Sequence, residues 1–133
     1  MCIFCKIING EIPSYKIYED EKTYAFLDIA DDIVGHTLVI PKNHYENLIE
    51  MSTDDLNAVM STVQKISKHY IDNCGYTGVN LINCCGKDAE QSVYHFHMHI
   101  LPRRSDDGIK VYPELSKIGS NLEKVRDLLK IDQ

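Results

Sequence analysis

At 133 residues the chain is long enough for one domain with its own hydrophobic core, and no repeat, low-complexity run or linker divides residues 1–133. A formal charge of −6 at pH 7 argues against a nucleic-acid partner, which needs a broad basic patch, but leaves room for a small phosphorylated ligand held by local donors. No stretch approaches the roughly 20 apolar residues that cross a membrane, no basic-then-apolar leader opens the chain, and five cysteines is an odd count, so the expectation is a reducing, cytoplasmic setting rather than a disulfide framework.

The chain opens with Cys2-Ile3-Phe4-Cys5. Ile3, Phe4, Ile7 and Ile8 form a short apolar helical stripe, which Asn9-Gly10 ends. The Cys-x-x-Cys has three readings: half of a zinc site that needs two more ligands, a redox pair that needs a preceding strand, or two incidental thiols. Residues 15–19 and 23–29 predict two strands of a hairpin about a polar turn. Asp28, near the end of the second, is either a turn former or an acceptor for a pair of sugar hydroxyls. Residues 31–35 form a loop and residues 36–41 an apolar strand closed by Pro41. His44, just beyond, is a plain loop histidine or a third ligand to a metal held by the two cysteines.

Residues 52–73 give the clearest helix. Leu56, Val59, Met60, Val63, Ile66 and Tyr70 recur at helical spacing, Ser52 and Asp55 fit a capping box, and Gly75 follows where a left-handed residue is wanted. Residues 78–84 predict a strand. The polar loop 86–92 can present backbone N–H groups to an anion. Beyond Pro102 come a charged loop and a final amphipathic helix carrying Leu122, Val125, Leu128 and Leu129, with Ser120 and Glu123 as its cap. Mostly antiparallel strands, one long helix and a C-terminal helix make an α+β domain.

His95-Phe96-His97-Met98-His99-Ile100-Leu101-Pro102 dominates the chemistry. Strict alternation predicts a strand with Phe96, Met98 and Ile100 on the core and the three histidines on the opposite face. The outer two histidine Cα atoms would then lie about 13 Å apart, too far for one ion bound at about 2.0–2.1 Å by all three. The histidines therefore divide their labour, some doing chemistry and one free to hold a metal. Neutral imidazole is a good nucleophile near pH 7. Attack on phosphorus through a covalent intermediate, with a second histidine and nearby donors stabilising charge, is one reading, and metal-assisted hydrolysis is its rival.

Gln91-Ser-Val-Tyr-His-Phe-His-Met-His-Ile-Leu-Pro102 resembles the signature of the histidine triad (HIT) family of nucleotide-binding hydrolases, in which histidine alternates with apolar residues. CIFCKIINGEIP, FLDI and GHTLVIPKNH match further segments in the family's order, and the likeness is greatest to the bacterial, protein-kinase-C-inhibitor-like (Hint) branch. The resemblance implies a HIT-like fold, a five-stranded antiparallel sheet with helices, paired into a homodimer. It implies that His97 attacks the α-phosphorus of a purine nucleotide conjugate such as a phosphoramidate, forming a nucleotidyl-histidine that water hydrolyses. His99 would contact the phosphate and assist the leaving group, and His36 would line the same site. Asp28 matches the acid on the ribose hydroxyls, Phe4, Leu27, Ile29 and Leu38 the base pocket, and Gln91, Ser92 and the Val93 backbone the phosphate-binding loop. Some bacterial members hold a structural zinc (Zn2+) through residues equivalent to Cys2, Cys5, His44 and His95.

The chain departs from the pattern twice. Asn83-Cys84-Cys85 stands where a run of asparagines is usual, so the register of a ligand-contacting Asn83 is open by one residue, and Glu90 replaces a glycine before Gln91. Two other functions compete with the phosphoramidase: a dinucleoside polyphosphate hydrolase, and a nucleotide-binding module with little turnover. The transferase branch of the family carries Gln at the third histidine, whereas this chain has His99.

Overall fold

The computed structural model describes residues 2–132. Five strands form one antiparallel sheet: β1 (Lys16–Glu19), β2 (Thr23–Leu27), β3 (Thr37–Pro41), β4 (Gly78–Ile82) and β5 (Met98–Arg103). Their order across the sheet is β1-β2-β3-β5-β4, so β4 lies at one edge. Helix α1 (Ile3–Ile8) precedes the sheet, α2 (Thr53–Asn73) connects β3 to β4, and α3 (Leu122–Leu129) follows β5. No helix among the described residues is long and apolar enough to cross a membrane.

The sheet is covered on both faces. Val59, Val63, Ile66 and Tyr70 of α2 pack on Ala25, Val39, Phe96, Met98 and Ile100. On the other face Phe4 and Ile7 of α1 pack with Tyr24, Phe26, Leu38 and Ile40. Ser52 caps α2, its hydroxyl accepting from the Asp55 N–H at 3.1 Å. The capping box is only half used, because the Asp55 carboxylate instead accepts from Asn43 Nδ2 at 2.9 Å and Tyr45 Oη at 2.6 Å. The start of the long helix thereby fixes the loop that carries His44.

All five strands are shorter or start later than expected: β1 begins at Lys16 rather than Tyr15, and β2 ends at Leu27 rather than Ile29. The last strand begins at Met98, not His95, because the Phe96 N–H leaves the sheet to bond the Tyr45 carbonyl at 2.7 Å. The alternation of faces nevertheless persists through the unpaired stretch: Phe96, Met98 and Ile100 lie in the α2 core. The third strand begins at Thr37 rather than His36, and the fourth ends at Ile82 rather than Cys84. Helix α3 forms, but Asn121 rather than Ser120 caps it, its Oδ1 accepting from Lys124 N–H. None of its residues is buried: the apolar stripe of Leu122, Leu128 and Leu129 is exposed among the described residues.

Candidate active site

His97 is 4% exposed and held on both sides. Its Nδ1–H donates to the His95 carbonyl at 2.8 Å, which leaves Nε2 as the nitrogen free for chemistry. The His97 carbonyl accepts from Asn83 Nδ2 at 2.9 Å. Burial pushes the ring's pKa below the usual 6.5, so the nucleophilic neutral form prevails near pH 7. His99 follows in β5, opposite Leu38 and Ile82. Burial, with His97 and His36 adding, pushes it down to about 4. His36 stands behind it, Nε2 lying 2.8 Å from His99 Nδ1.

The histidines open onto a cavity of about 390 Å³, within the size of small-molecule sites. His97, His99, Asp28 and Ser92 supply polar groups to its wall, and Phe4, Phe26, Leu27, Ile29, Leu38 and Val93 line it with apolar side chains. The Phe4 ring stands edge-on to His97 with centroids 5.3 Å apart. Asp28 accepts from the Ala30 N–H through Oδ1 at 2.9 Å, which fixes the carboxylate at the rim of the cavity.

A second cluster lies on the far side of Phe4. Cys2 and Cys5 of the α1 turn, His44 of the loop after β3 and His95 bring one ligand atom each within 4.8 Å of one another. Around one tetrahedral ion, a sulfur at about 2.3 Å and a nitrogen at about 2.0 Å would be about 3.5 Å apart, and two nitrogens about 3.3 Å. Here Cys2 Sγ and Cys5 Sγ lie 3.4 and 3.6 Å from His95 Nδ1, Cys5 Sγ lies 3.5 Å from His44 Nδ1, and the two Nδ1 atoms are 3.2 Å apart. The donors fit a closed Cys2His2 metal site. His95 Nε2–H donates to the Pro41 carbonyl at 2.9 Å, which leaves Nδ1 unprotonated toward the cluster, as a metal ligand must be. Asp28, His36 and His99 also converge, but the 2.8 Å between His36 Nε2 and His99 Nδ1 is a hydrogen bond, shorter than two ligand nitrogens keep.

The HIT domain family model matches residues 9–106. The chain is 43% identical to a HIT-family member from Bacillus subtilis, whose structure superposes with a TM-score of 0.84 over 96% of this chain and 91% of that one. The chain belongs to the HIT family. It is also 38% identical over 142 aligned positions to the adenosine 5′-monophosphoramidase of Candida albicans, covering 98% of this chain and 93% of that protein. A Zn-bound histidine triad family protein from Mycobacterium smegmatis is 34% identical, with a TM-score of 0.79 over 86% of this chain and 84% of that one.

The HIT fold brings most of the residues expected from sequence to the one cavity, but three reach it indirectly. His36 touches it through His99. The Asn83 amide is engaged with the His97 backbone, so it holds the main chain of His97. Gln91 is buried, its Oε1 accepting from the Gly86 N–H at 2.8 Å and its Nε2 donating to the carbonyls of Val93 and Glu46. It braces the loop that carries Ser92. Glu90 is exposed and adopts a left-handed backbone with φ 67°. That conformation costs an L side chain about 1–2 kcal/mol, and a glycine avoids the cost. Sequence reasoning missed Ile12, Pro13 and Ser14 in the cavity wall, where only the return of the chain after α1 places them.

Proposed function

We propose that this HIT protein hydrolyses purine nucleoside phosphoramidates, or related nucleotidyl conjugates, at the α-phosphate. The observation that carries the reading is His97, neutral, lining the cavity and held through Nδ1 so that Nε2 is free. The base packs among Phe4, Leu27, Ile29 and Leu38, and Asp28 accepts from the ribose hydroxyls. Ser92 and the Val93 N–H meet the phosphate, on the loop that Gln91 shapes. His97 Nε2 attacks phosphorus, the amine departs with a proton from His99, and water then releases the mononucleotide from His97.

Cys2, Cys5, His44 and His95 would hold a structural zinc, which supplies folding energy rather than chemistry. The metal-ligand spacing of these donors supports this, and their thiolate chemistry suits a reducing cytoplasm. The ligand is a small nucleotide, and we assign neither a nucleic-acid nor a membrane partner. The partner is a second copy of the chain. In support, Met60, Ile71, Val79 and Leu81 line a shallow apolar groove between α2 and the edge strand β4, and the stripe of α3 is bare. Sedimentation of the full chain at micromolar concentration should give twice the 15.2 kDa chain mass. A monomer would remove the homodimer from the account.

Steady-state cleavage of adenosine 5′-phosphoramidate beside a diadenosine polyphosphate tests the substrate class. Faster cleavage of the phosphoramidate is expected. Preference for the dinucleotide would move the protein to polyphosphate hydrolysis, and AMP binding with neither cleaved would make it a binding module.

A further inference from the structure

Asp32 has no role in the reading above. It lies in the loop before β3 with its side chain 57% exposed, and its Oδ1 is 2.7 Å from His36 Nδ1. A carboxylate accepts, so His36 Nδ1 carries a proton. The opposite ring nitrogen, His36 Nε2, is 2.8 Å from His99 Nδ1, and a single proton occupies that second hydrogen bond. Its owner decides what His99 shows the cavity. If it belongs to His99, a neutral His99 has a bare Nε2 and cannot give a proton. If it belongs to His36, the single proton of His99 sits on Nε2, facing the leaving group. His99, pushed down to about 4 by its burial, holds only one proton near neutral pH.

The second arrangement requires a proton on each nitrogen of His36, and a carboxylate faces each of those nitrogens. Asp32 faces Nδ1 at 2.7 Å from the loop, and Asp28 faces Nε2 at 3.7 Å from the end of β2. His99 packs on the ring from β5, and His97 stands behind His99. Two carboxylates beside an imidazole stabilise its cation. The hydrogen bond from His36 holds the Asp32 carboxyl below the ordinary carboxylate range.

We propose that Asp32 is a positioning residue that keeps both nitrogens of His36 protonated and so presents the His99 Nε2–H to the leaving group. The proposal rests on the phosphoramidase reading for its substrate. As His97 Nε2 bonds to phosphorus, the substrate's P–N bond breaks and its electron pair stays on the amine nitrogen. That nitrogen takes the His99 Nε2 proton. His99 Nδ1 takes the proton of His36 Nε2, leaving His36 neutral with its Nδ1–H still on Asp32. When water attacks the nucleotidyl-histidine, the P–N bond to His97 breaks with its pair returning to His97. The water proton passes to His99 Nε2, and the Nδ1 proton returns to His36. No net proton is gained or lost by the three residues over a cycle.

The first test is the ¹⁵N NMR signature of the full chain labelled at histidine, near pH 7, without substrate. The wild type should carry the His99 proton on Nε2, Asp32→Asn should move it to Nδ1, and Asp32→Glu should restore it. An unmoved His99 tautomer in Asp32→Asn would overturn the proposal. The second test compares leaving groups. Asp32→Asn should lower kcat for adenosine 5′-phosphoramidate about 10²-fold with little change in KM, whereas adenosine 5′-(4-nitrophenyl phosphate), whose phenolate leaves unprotonated, should lose no more than about threefold. Equal losses on both substrates would reduce Asp32 to a loop anchor and overturn the proposal. A wild type that cleaves neither substrate contradicts the phosphoramidase reading itself, and the tautomer measurement then decides on Asp32 alone.

Discussion

Replacing His97 by alanine should abolish turnover, lowering kcat for adenosine 5′-phosphoramidate by about 10³-fold or more, while the protein stays folded and still binds AMP. The size of the loss follows from the role. A nucleophile that forms a covalent intermediate has no substitute when it is removed, and water must then attack the substrate directly. Survival of the fold follows from where the ring sits. Its polar contact is with the carbonyl of His95, two residues away, and it lines the cavity rather than the α2 core, so water can reach the groups it leaves behind. The unmet carbonyl and the lost edge-on contact with Phe4 cost about 1–3 kcal/mol, within what a small domain tolerates. Parallel measurement of turnover, AMP binding and thermal unfolding checks all three parts. A variant within tenfold of wild type would remove His97 from the reaction.

Stripping the metal should act first on stability. At a free zinc concentration a thousandfold above its Kd, a metal bound only by the folded state adds about 4 kcal/mol, and a chelator removes that contribution. Cys5→Ser should approach the same loss without chelator. The reason lies in α1, a six-residue helix too short to persist unaided, whose Cys2 and Cys5 would be fastened to His44 and His95 by the ion. Phe4 sits between the two cysteines in sequence and against both His95 and His97 in space. A loosened α1 therefore also weakens the wall of the base pocket. Thermal unfolding of metal-loaded, chelated and Cys5→Ser protein measures the effect. Identical melting temperatures for all three would exclude a structural metal at this cluster.

Local periodicity made much of this molecule legible before its structure. The 3.6-residue stripe of α2 and its Ser52 cap identify the long helix because both signals act within a few residues. The alternation of Phe96, Met98 and Ile100 with histidine identifies the two faces of β5 correctly, although pairing starts only at Met98. Periodicity reports which way side chains point. It does not report which N–H groups find a neighbouring strand, and the bond of Phe96 N–H to Tyr45 is a tertiary event. The same limit explains the side-chain roles. Gln91 and Asn83 stand in the expected segments, but their amides bond to backbone, that of Glu46 for Gln91 and that of His97 for Asn83, so only the fold distinguishes a brace from a ligand contact. Helix α3 shows the converse: its stripe is legible in sequence, but the fold leaves Leu122, Leu128 and Leu129 exposed. Asp32 was invisible because its meaning depends on a ring four residues later turning back onto it.

The most direct test of the whole account is to look for the intermediate. Rapid mixing of excess enzyme with adenosine 5′-phosphoramidate, an acid-free quench within milliseconds and peptide mass spectrometry should find an adenylyl group on the peptide containing residues 95–99, located on His97 and absent from His97→Ala. Its formation should keep pace with release of the amine and precede release of AMP. Amine and AMP released together, with no adduct at any time although turnover is rapid, would contradict nucleophilic catalysis by His97.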